Sequence, residues 1–330
     1  KLPKQLHNAV VSRIKTLSGL DMAEKRRPQD GRIKMVKAET EVEIRVSTIP
    51  VAFGEKVVMR IMDPDVLFQD LGKLGFSGQD FAKYKKLITL PFGIVLVTGP
   101  TGSGKSTTLY SSLRMLSSAE VNIISIEDPI EMIHEEFNQI SVQPAVDVTF
   151  GSVLRNIMRQ DPDIIMVGEI RDLETAQAAV QAALTGHLVL STLHTNDSVS
   201  AVFRLLDLGV PPYLVHASLN GIVAQRLVRK ICPYCIQDIE MDAKALSELG
   251  LDVAKNGTIS LRHGKGCNKC RGTGYKGRIG IYEVLPYTES LKGMSTPAGS
   301  LKAMRSKAME EGLVLLRQNG IQKMRQGMTT

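Results

Sequence analysis

Nine consecutive residues, Gly99 to Thr107, constrain the fold of this chain more than any other stretch. They read Gly-Pro-Thr-Gly-Ser-Gly-Lys-Ser-Thr and fit the pattern G-x-x-x-x-G-K-[S/T]. An apolar, β-branched run at 94–98 precedes them, and a run typical of a helix follows at 105–117. In that setting, glycines let successive backbone N–H groups turn inward, and the helix N-terminus adds partial positive charge. The stretch therefore predicts a loop that binds the phosphates of a nucleoside triphosphate.

Two side chains of this loop have predicted roles. Lys105 would neutralise the β- and γ-phosphates of ATP, and the Ser106 hydroxyl would bind Mg²⁺. The alternative is a glycine-rich turn that matches by accident, which the flanking strand and helix argue against. The candidate nucleotide-binding residues of the loop are Gly99, Pro100, Thr101, Gly102, Ser103, Gly104, Lys105, Ser106 and Thr107.

The composition is that of a globular protein: 43% of residues are apolar and 23% are charged. No apolar run approaches the roughly 18 residues of a transmembrane helix. The net charge is +7, but residues 71–231 hold 13 Lys and Arg against 15 Asp and Glu. Because the phosphate-loop region is slightly acidic and the chain has no Trp, we expect no nucleic-acid partner. The basic C-terminal part favours an acidic partner or an acidic phospholipid surface instead.

Hydrophobic periodicity divides the chain into regions. A helical pattern over 4–18 and three strand-like runs predict a small α+β domain at 1–63, and a Pro-containing linker is expected at 64–74. From 75 to 330, strands alternate with helices, which predicts a mostly parallel α/β sheet with helices on both faces. Helical segments end the chain at about 290–330. Because the chain begins with Lys1 rather than Met, in a helical run, we expect a fragment of a longer protein.

Two acidic residues directly follow buried apolar strands and are candidate catalytic groups. Glu169 follows the strand predicted at 164–167 and is the candidate general base or water-positioning residue. Glu127 follows the strand predicted at 121–126. If both strands lie beside the one that leads into the phosphate loop, the two carboxylates meet at one edge with Ser106, and a divalent cation is needed between them. The alternatives are a helix cap for Glu169 and an exposed acidic loop for Glu127.

Two of the six histidines bracket a single apolar strand at 188–193. His194, at its carboxyl end, would point to the phosphate-loop edge and could sense the γ-phosphate. His187 comes just before the strand and therefore lies at its opposite end. This position favours a structural role, in which His187 holds the strand in place. From the residues alone, a histidine at the end of a strand is more often structural than functional.

All four cysteines occur in two C-x-x-C pairs, Cys232/Cys235 and Cys267/Cys270. Each pair can direct two thiolates at one tetrahedral centre, and two pairs complete a Cys₄ site with no open position. The alternative is disulfide bonding, which is less compatible with the cytosolic setting that a nucleotidase implies. We therefore predict a structural zinc element at 232–270.

Three arginines of the N-terminal region, Arg32, Arg45 and Arg60, lie on or beside its predicted strands. Each is most simply a solvated surface residue. Three guanidinium groups on one small sheet could instead close over a bound nucleotide, either of the same chain or of a neighbouring copy, as arginine fingers do.

Taken in chain order, these sequence motifs resemble those of the secretion ATPase superfamily, and more narrowly those of the type II secretion and type IV pilus assembly ATPases. The matching stretches are GPTGSGKSTT at 99–108, IEDPIE at 126–131, RQDPDIIMVGEIRD at 159–172, TGHLVLSTLHTND at 185–197, CPYC and CNKC. The resemblance covers nearly the whole chain. Pilus retraction ATPases resemble it too but lack the cysteine element, so an assembly or secretion motor is favoured. Residues 226–232 resemble the secretion branch slightly more.

The resemblance implies a hexameric ring of subunits with a PAS-like N-terminal lobe and a RecA-like ATPase lobe. Such rings act at the cytoplasmic face of the bacterial inner membrane, with membrane-platform and docking proteins, and use ATP to assemble pilins or pseudopilins. By position, Glu127 belongs to the aspartate box, Glu169 is the catalytic glutamate, and His187 and His194 form the histidine box. The family's arginine fingers come from the N-terminal lobe, which favours that role for Arg32, Arg45 and Arg60.

Two other classes are compatible with a phosphate loop. A RecA-like DNA translocase or helicase with a zinc ribbon would need a basic stripe and DNA-stimulated turnover. A nucleotide-gated scaffold would bind ATP without hydrolysing it. The acidic centre of the chain and its few aromatic residues argue against the translocase.

Overall fold

The structure is a computed structural model that describes residues 3–37, 40–62, 67–241, 259–296 and 299–330. The chain divides into two compact units, Lys1–Gln69 and Asp70–Thr330. Of the predicted linker at 64–74, residues 64–66 lie outside the described residues, 67–69 belong to the first unit and 70–74 to the second.

The first unit consists of a helix and a three-stranded antiparallel sheet. Helix α1 spans His7–Leu17, and the strands are β1 (Gln29–Lys37), β2 (Thr40–Val51) and β3 (Gly54–Met62), in the order β1-β2-β3. In β2, Val42 and Val46 are buried and lie on the same face of the strand. Lys15 of α1 is also buried, where it pairs with Glu55 and donates to the Glu24 carbonyl at 2.7 Å.

The second unit alternates strands and helices, as the sequence predicts. Its strands are β4 (Gly93–Thr98), β5 (Ile123–Glu127), β6 (Asn138–Ser141), β7 (Ile164–Val167), β8 (Leu188–Leu193), β9 (Leu219–Ile231), β10 (Ile236–Met241), β11 (Ile259–Gly264) and β12 (Tyr275–Pro286). Its helices are α2 (Gly78–Ile88), α3 (Lys105–Leu116), α4 (Phe150–Ile157), α5 (Leu173–Leu184), α6 (Ser198–Asp207), α7 (Pro212–Ser218), α8 (Glu289–Lys292), α9 (Leu301–Glu310) and α10 (Leu316–Arg325).

Seven of these strands form one sheet in the order β12-β9-β4-β8-β7-β5-β6. All neighbouring pairs are parallel except β9 and β12, which confirms the mostly parallel α/β prediction. The predicted neighbour relations need one correction. Strand β4, which leads into the phosphate loop, lies between β8 and β9, so β8 separates it from β7 and β5.

The core of the second unit lies between the central strands and their helices. Helix α5 is rich in alanine, and Ala176, Ala179 and Ala183 are each at most 1% exposed. Such small side chains let the helix approach the sheet closely, where Leu96 and Val189 are fully buried. This rigid sheet fixes the positions of the loops that follow its strands.

Strands β10 and β11 form a separate antiparallel pair next to the two cysteine motifs. The residues between them, 242–258, lie outside the described part of the chain. Within the described ranges, no helix combines the length and the apolar character needed to cross a bilayer.

Candidate nucleotide and metal sites

The glycine-rich loop lies at the carboxyl end of β4, and helix α3 begins at its lysine. Gly99, Gly102 and Gly104 all have positive φ angles, of 155°, 78° and 90°. At Gly104 a second constraint applies, since a Cβ atom there would lie 3.1 Å from the Nε2 atom of Gln225. The loop therefore requires glycine both for its backbone turn and for its close contact with β9.

Lys105 occupies the first position of α3, and its ammonium group folds back over the loop. Its Nζ atom donates to the carbonyls of Gly99 at 2.9 Å and Pro100 at 3.3 Å. Burial lowers the pKa of Lys105 below its ordinary value, the nearby carboxylate of Glu169 raises it, and the Arg226 guanidinium lowers it further. Lys105 and Glu169 are thus electrostatically coupled.

Glu169 follows β7, and His194 follows β8, the strand between β7 and β4. The Nε2 atom of His194 lies 3.2 Å from Oε2 of Glu169. Arg171 donates to the other carboxylate oxygen of Glu169 and lies 4.0 Å from Asp128. The hydrogen bond to Glu169 is the main cause of a raised pKa for Arg171. The structure thus brings Glu169 and His194 together at the phosphate-loop edge of the sheet.

Glu127, the second candidate carboxylate, is buried. It ends β5 and is 3% exposed. It accepts hydrogen bonds from Tyr110 Oη at 2.5 Å, Ser125 Oγ at 2.7 Å and Gln139 Nε2 at 3.1 Å. Side-chain alternation puts Glu127 on the same face of β5 as Ser125, and the partners Tyr110 and Gln139, which come from other elements, enclose its carboxylate there.

His187 is the second residue that the resemblance assigns to the histidine box. It precedes β8, and its backbone carbonyl accepts a hydrogen bond from Gly93 at the start of β4. Its Nδ1 atom lies 2.8 Å from the Ala182 carbonyl and 3.2 Å from Thr185 Oγ1. His187 therefore lies at the end of the strands opposite the phosphate loop of its own chain, as residue order suggested.

Two residues near the loop, Gln225 and Arg226, were not among the predicted site residues. Gln225 is 1% exposed and bonds to both the loop and α3. Arg226 donates to the Gln225 carbonyl at 2.9 Å and to the Asn196 carbonyl at 3.0 Å. A signal was available, because Gln225 interrupts the apolar run of β9, and a polar residue in a buried strand needs a partner.

Ser106 is the second residue of α3 and is half-buried. Its hydroxyl belongs to the first turn of the helix, beside the loop. Hydroxyl oxygens are among the donors that Mg²⁺ accepts, so Ser106 is the residue of the loop that could hold the ion.

The two C-x-x-C motifs converge on one point. The four Sγ atoms lie within 4.8 Å of one another, and three of the distances are 3.9 Å for Cys232–Cys267, 3.9 Å for Cys235–Cys270 and 3.7 Å for Cys267–Cys270. Zn–S bonds of about 2.3 Å in a tetrahedron place the sulfurs about 3.8 Å apart, whereas a disulfide needs about 2.05 Å. The cluster therefore fits a zinc ion, and backbone N–H groups of Cys267 and Gly274 point at the Cys270 sulfur.

The three N-terminal arginines form a row across their sheet. Arg32 pairs with Arg45 across β1 and β2, and Arg45 pairs with Arg60 across β2 and β3. Glu43 lies 3.8 Å from Arg32 and 3.5 Å from Arg45. Like charges directly opposite one another destabilise a sheet, and the Glu43 carboxylate offsets part of this repulsion at Arg32 and Arg45.

Comparison with known proteins gives a consistent result. A family model described as Type II/IV secretion system protein matches residues 1–330. The chain is 48% identical over 330 residues to the type IV pilus assembly ATPase PilB of Myxococcus xanthus, covering 99% of this chain and 58% of that protein. It is 49% identical over 327 residues to the type II secretion system ATPase E of Vibrio cholerae, covering 99% and 64%.

Solved structures show the same fold. The pilus retraction motor PilT with bound ADP aligns with a TM-score of 0.63 at 26% identity, covering 91% of this chain and 75% of that one. The Legionella pneumophila ATPase DotB aligns with a TM-score of 0.68 at 21% identity, covering 92% and 75%. These similarities do not favour the DNA-translocase alternative.

The chain corresponds to only part of its curated relatives. This chain spans little more than half of the length of the Myxococcus relative. The pilus and secretion relatives are almost equally similar to it, so overall identity does not support the preference for the secretion branch drawn from residues 226–232.

Proposed function

Because the chain belongs to the type II/IV secretion system protein family, we propose that it is the motor part of an ATPase that drives type IV pilus assembly or type II secretion. One observation carries the proposal. Glu169 and His194, which are 3.2 Å apart, lie at the same sheet edge as the loop of Lys105. A polarised carboxylate beside a phosphate loop is the arrangement that hydrolysis of a bound triphosphate needs.

In this proposal the loop residues hold the phosphates and Lys105 neutralises their charge. Glu169 orients the attacking water and accepts its proton, while His194 and Arg171 keep the carboxylate in place. His194 is half-exposed and can also contact the γ-phosphate. Mg²⁺, when bound at Ser106, supplies further charge neutralisation. Glu127 supports this site from inside the protein through its hydrogen bonds.

The arginine row of the first unit is the proposed source of further positive charge for the transition state. Arginine fingers raise the rate of phosphoryl transfer by factors of about 10³–10⁵. We assign this role to Arg32, Arg45 and Arg60 because their cross-strand pairing concentrates three guanidinium groups on one sheet face.

The relatives act in pilus and secretion systems, and we extend their setting to this chain as part of the proposal. We propose a hexameric ring on the cytoplasmic side of the bacterial inner membrane, with membrane-platform and docking proteins of the machine as partners. The excess of basic residues over 232–330, 15 Lys and Arg against 9 Asp and Glu, suits contact with acidic phospholipid. The first and second units are proposed to be the two lobes that move during the ATPase cycle.

The test is ATP hydrolysis by the purified chain with Mg²⁺, measured as phosphate release. Turnover should require Lys105, so Lys105→Ala should abolish it, whereas Lys86→Ala, on the exposed surface of α2, should leave it unchanged. Acidic phospholipid vesicles should stimulate turnover, and single- or double-stranded DNA should not. Strong stimulation by DNA would contradict the proposal and favour a DNA translocase. Tight ATP binding without turnover would favour a scaffold.

A further inference from the structure

One buried side chain connects the phosphate loop to a neighbouring strand. Gln225 lies on β9 just beyond Ala224, which is paired with Thr98 at the end of β4. Its Nε2 atom donates to the Ser103 carbonyl at 2.7 Å. Its Oε1 atom accepts from the Thr108 hydroxyl at 2.8 Å. One amide therefore joins the loop, the first turns of α3 and β9.

The orientation of this amide is determined by chemistry. The carbonyl of Ser103 can only accept a hydrogen bond, so the NH₂ group of Gln225 must face it. The oxygen then faces Thr108, whose hydroxyl can donate. All three residues are at most 3% exposed, so solvent cannot replace either bond and neither group can leave its partner without a free-energy cost.

The contact also determines where the next backbone N–H points. A trans peptide is planar, and its C=O and N–H groups point in opposite directions. Because Gln225 holds the Ser103 carbonyl toward β9, the N–H of Gly104 is turned away from β9. In a phosphate loop, backbone N–H groups that turn into the loop cradle the phosphates. Gln225 thus fixes the direction of one of the loop's N–H donors.

We propose that Gln225 is a positioning residue for the phosphate loop, which sets the Gly104 N–H toward the β-phosphate of a bound nucleotide. The inference rests on the proposed nucleotide-binding function. It adds to that function a role in phosphate recognition for Gln225, a residue that lies outside the loop motif and does not itself contact the nucleotide.

The decisive variant is Gln225→Met, which keeps the length of the side chain and removes both hydrogen bonds. The dissociation constants of ADP and AMP are measured by calorimetry on the full chain. AMP serves as the reference because it lacks the β-phosphate. We expect affinity for ADP to fall about tenfold and affinity for AMP to change much less. Gln225→Glu, which turns a carboxylate toward the Ser103 carbonyl, should weaken ADP binding further.

A matched control is Ser295→Ala. Ser295 is fully buried and bonds to the Tyr287 hydroxyl and the Leu291 carbonyl, away from the loop. It should lower the unfolding temperature and leave both affinities unchanged. If Gln225→Met lowers the unfolding temperature but binds ADP as the parent does, the residue is only structural and the inference is wrong.

Thr108→Val keeps the inference testable if Gln225→Met does not fold. It removes one of the two bonds of the amide, and we expect a smaller loss of ADP affinity, again with little effect on AMP. Equal losses for ADP and AMP would overturn the inference. A parent chain that neither binds nor hydrolyses ATP would overturn the proposed function itself, which is a separate result.

Discussion

Glu169 is held from two sides, by His194 and by Arg171. Both contacts restrict the rotation of the carboxylate. A base that is fixed in this way needs little rearrangement when a water molecule and the γ-phosphate are in place. The first prediction addresses this group.

We expect Glu169→Gln to lower kcat for ATP hydrolysis by at least about a hundredfold, because an amide cannot accept the proton of the attacking water. Affinity for ATP should remain close to that of the parent. Phosphate release and equilibrium binding measure the two quantities. The control is Glu174→Gln, a half-exposed partner of Arg155 in the first turn of α5. Retention of a tenth or more of the activity by Glu169→Gln would assign the chemistry to another group.

Tyr110→Phe tests the buried position of Glu127. Loss of the hydroxyl leaves one oxygen of a buried carboxylate without its short hydrogen bond, and we expect the free energy of unfolding to fall by about 1–3 kcal/mol. Urea denaturation measures this change, and kcat should fall less than about tenfold. Tyr84→Phe is the control. Tyr84 bonds to the neutral Ser112 hydroxyl at 2.8 Å, so this substitution should lower the free energy of unfolding by less. A large loss of kcat at unchanged stability would mean that Glu127 acts at the nucleotide.

At the scale of elements, the sequence predicts what depends on local pattern. A short stretch of sequence is enough to predict the loop at Gly99–Thr107, strand β7 and helix α5. Backbone geometry and side-chain alternation act over a few residues. The order of strands is not local. The position of β8 between β4 and β7, and the inward turn of Glu127, depend on residues far apart in the sequence. Gln225 was missed for the same reason, since its partners Ser103 and Thr108 are over a hundred residues away.

The zinc element gives the third prediction. Among the described residues of the two cysteine motifs and strands β10 and β11, Leu261 is the buried centre of a small apolar cluster, so metal binding should supply much of the local folding energy. Metal analysis should find one zinc per chain, and cobalt substitution should give the spectrum of a tetrahedral thiolate site. Cys267→Ser should increase amide exchange in β10 and β11. Restoring zinc to chelated parent protein is the control, and unchanged exchange without metal would contradict a structural role.

At the scale of the whole molecule, the open question is which copy receives the arginines of the first unit. Subunits carrying Arg45→Ala have an intact phosphate loop, and subunits carrying Lys105→Ala have intact arginines. If arginines act on a neighbouring copy in the proposed ring, mixing these two inactive variants should restore part of the ATPase activity.

Recovery in the mixture is measured by titrating one variant against the other at constant total concentration. Activity should pass through a maximum at an intermediate ratio if the arginines act between copies. The control is Lys105→Ala mixed with Glu169→Gln, because both variants lack a working site and no mixture of them should recover. A flat response in the first mixture would assign the arginines to the site of their own chain.

Strand β9 runs from the phosphate loop to the cysteine cluster. It carries Gln225 beside the phosphate loop and ends at Ile231, directly before Cys232 of the metal cluster. The proposed zinc cluster and the side chain proposed to position the phosphate loop therefore lie along one continuous strand. By thermodynamic linkage, any factor by which zinc changes the affinity for ATP must equal the factor by which ATP changes the affinity for zinc. Measuring the zinc affinity with and without nucleotide thus gives the coupling free energy between the two proposed sites.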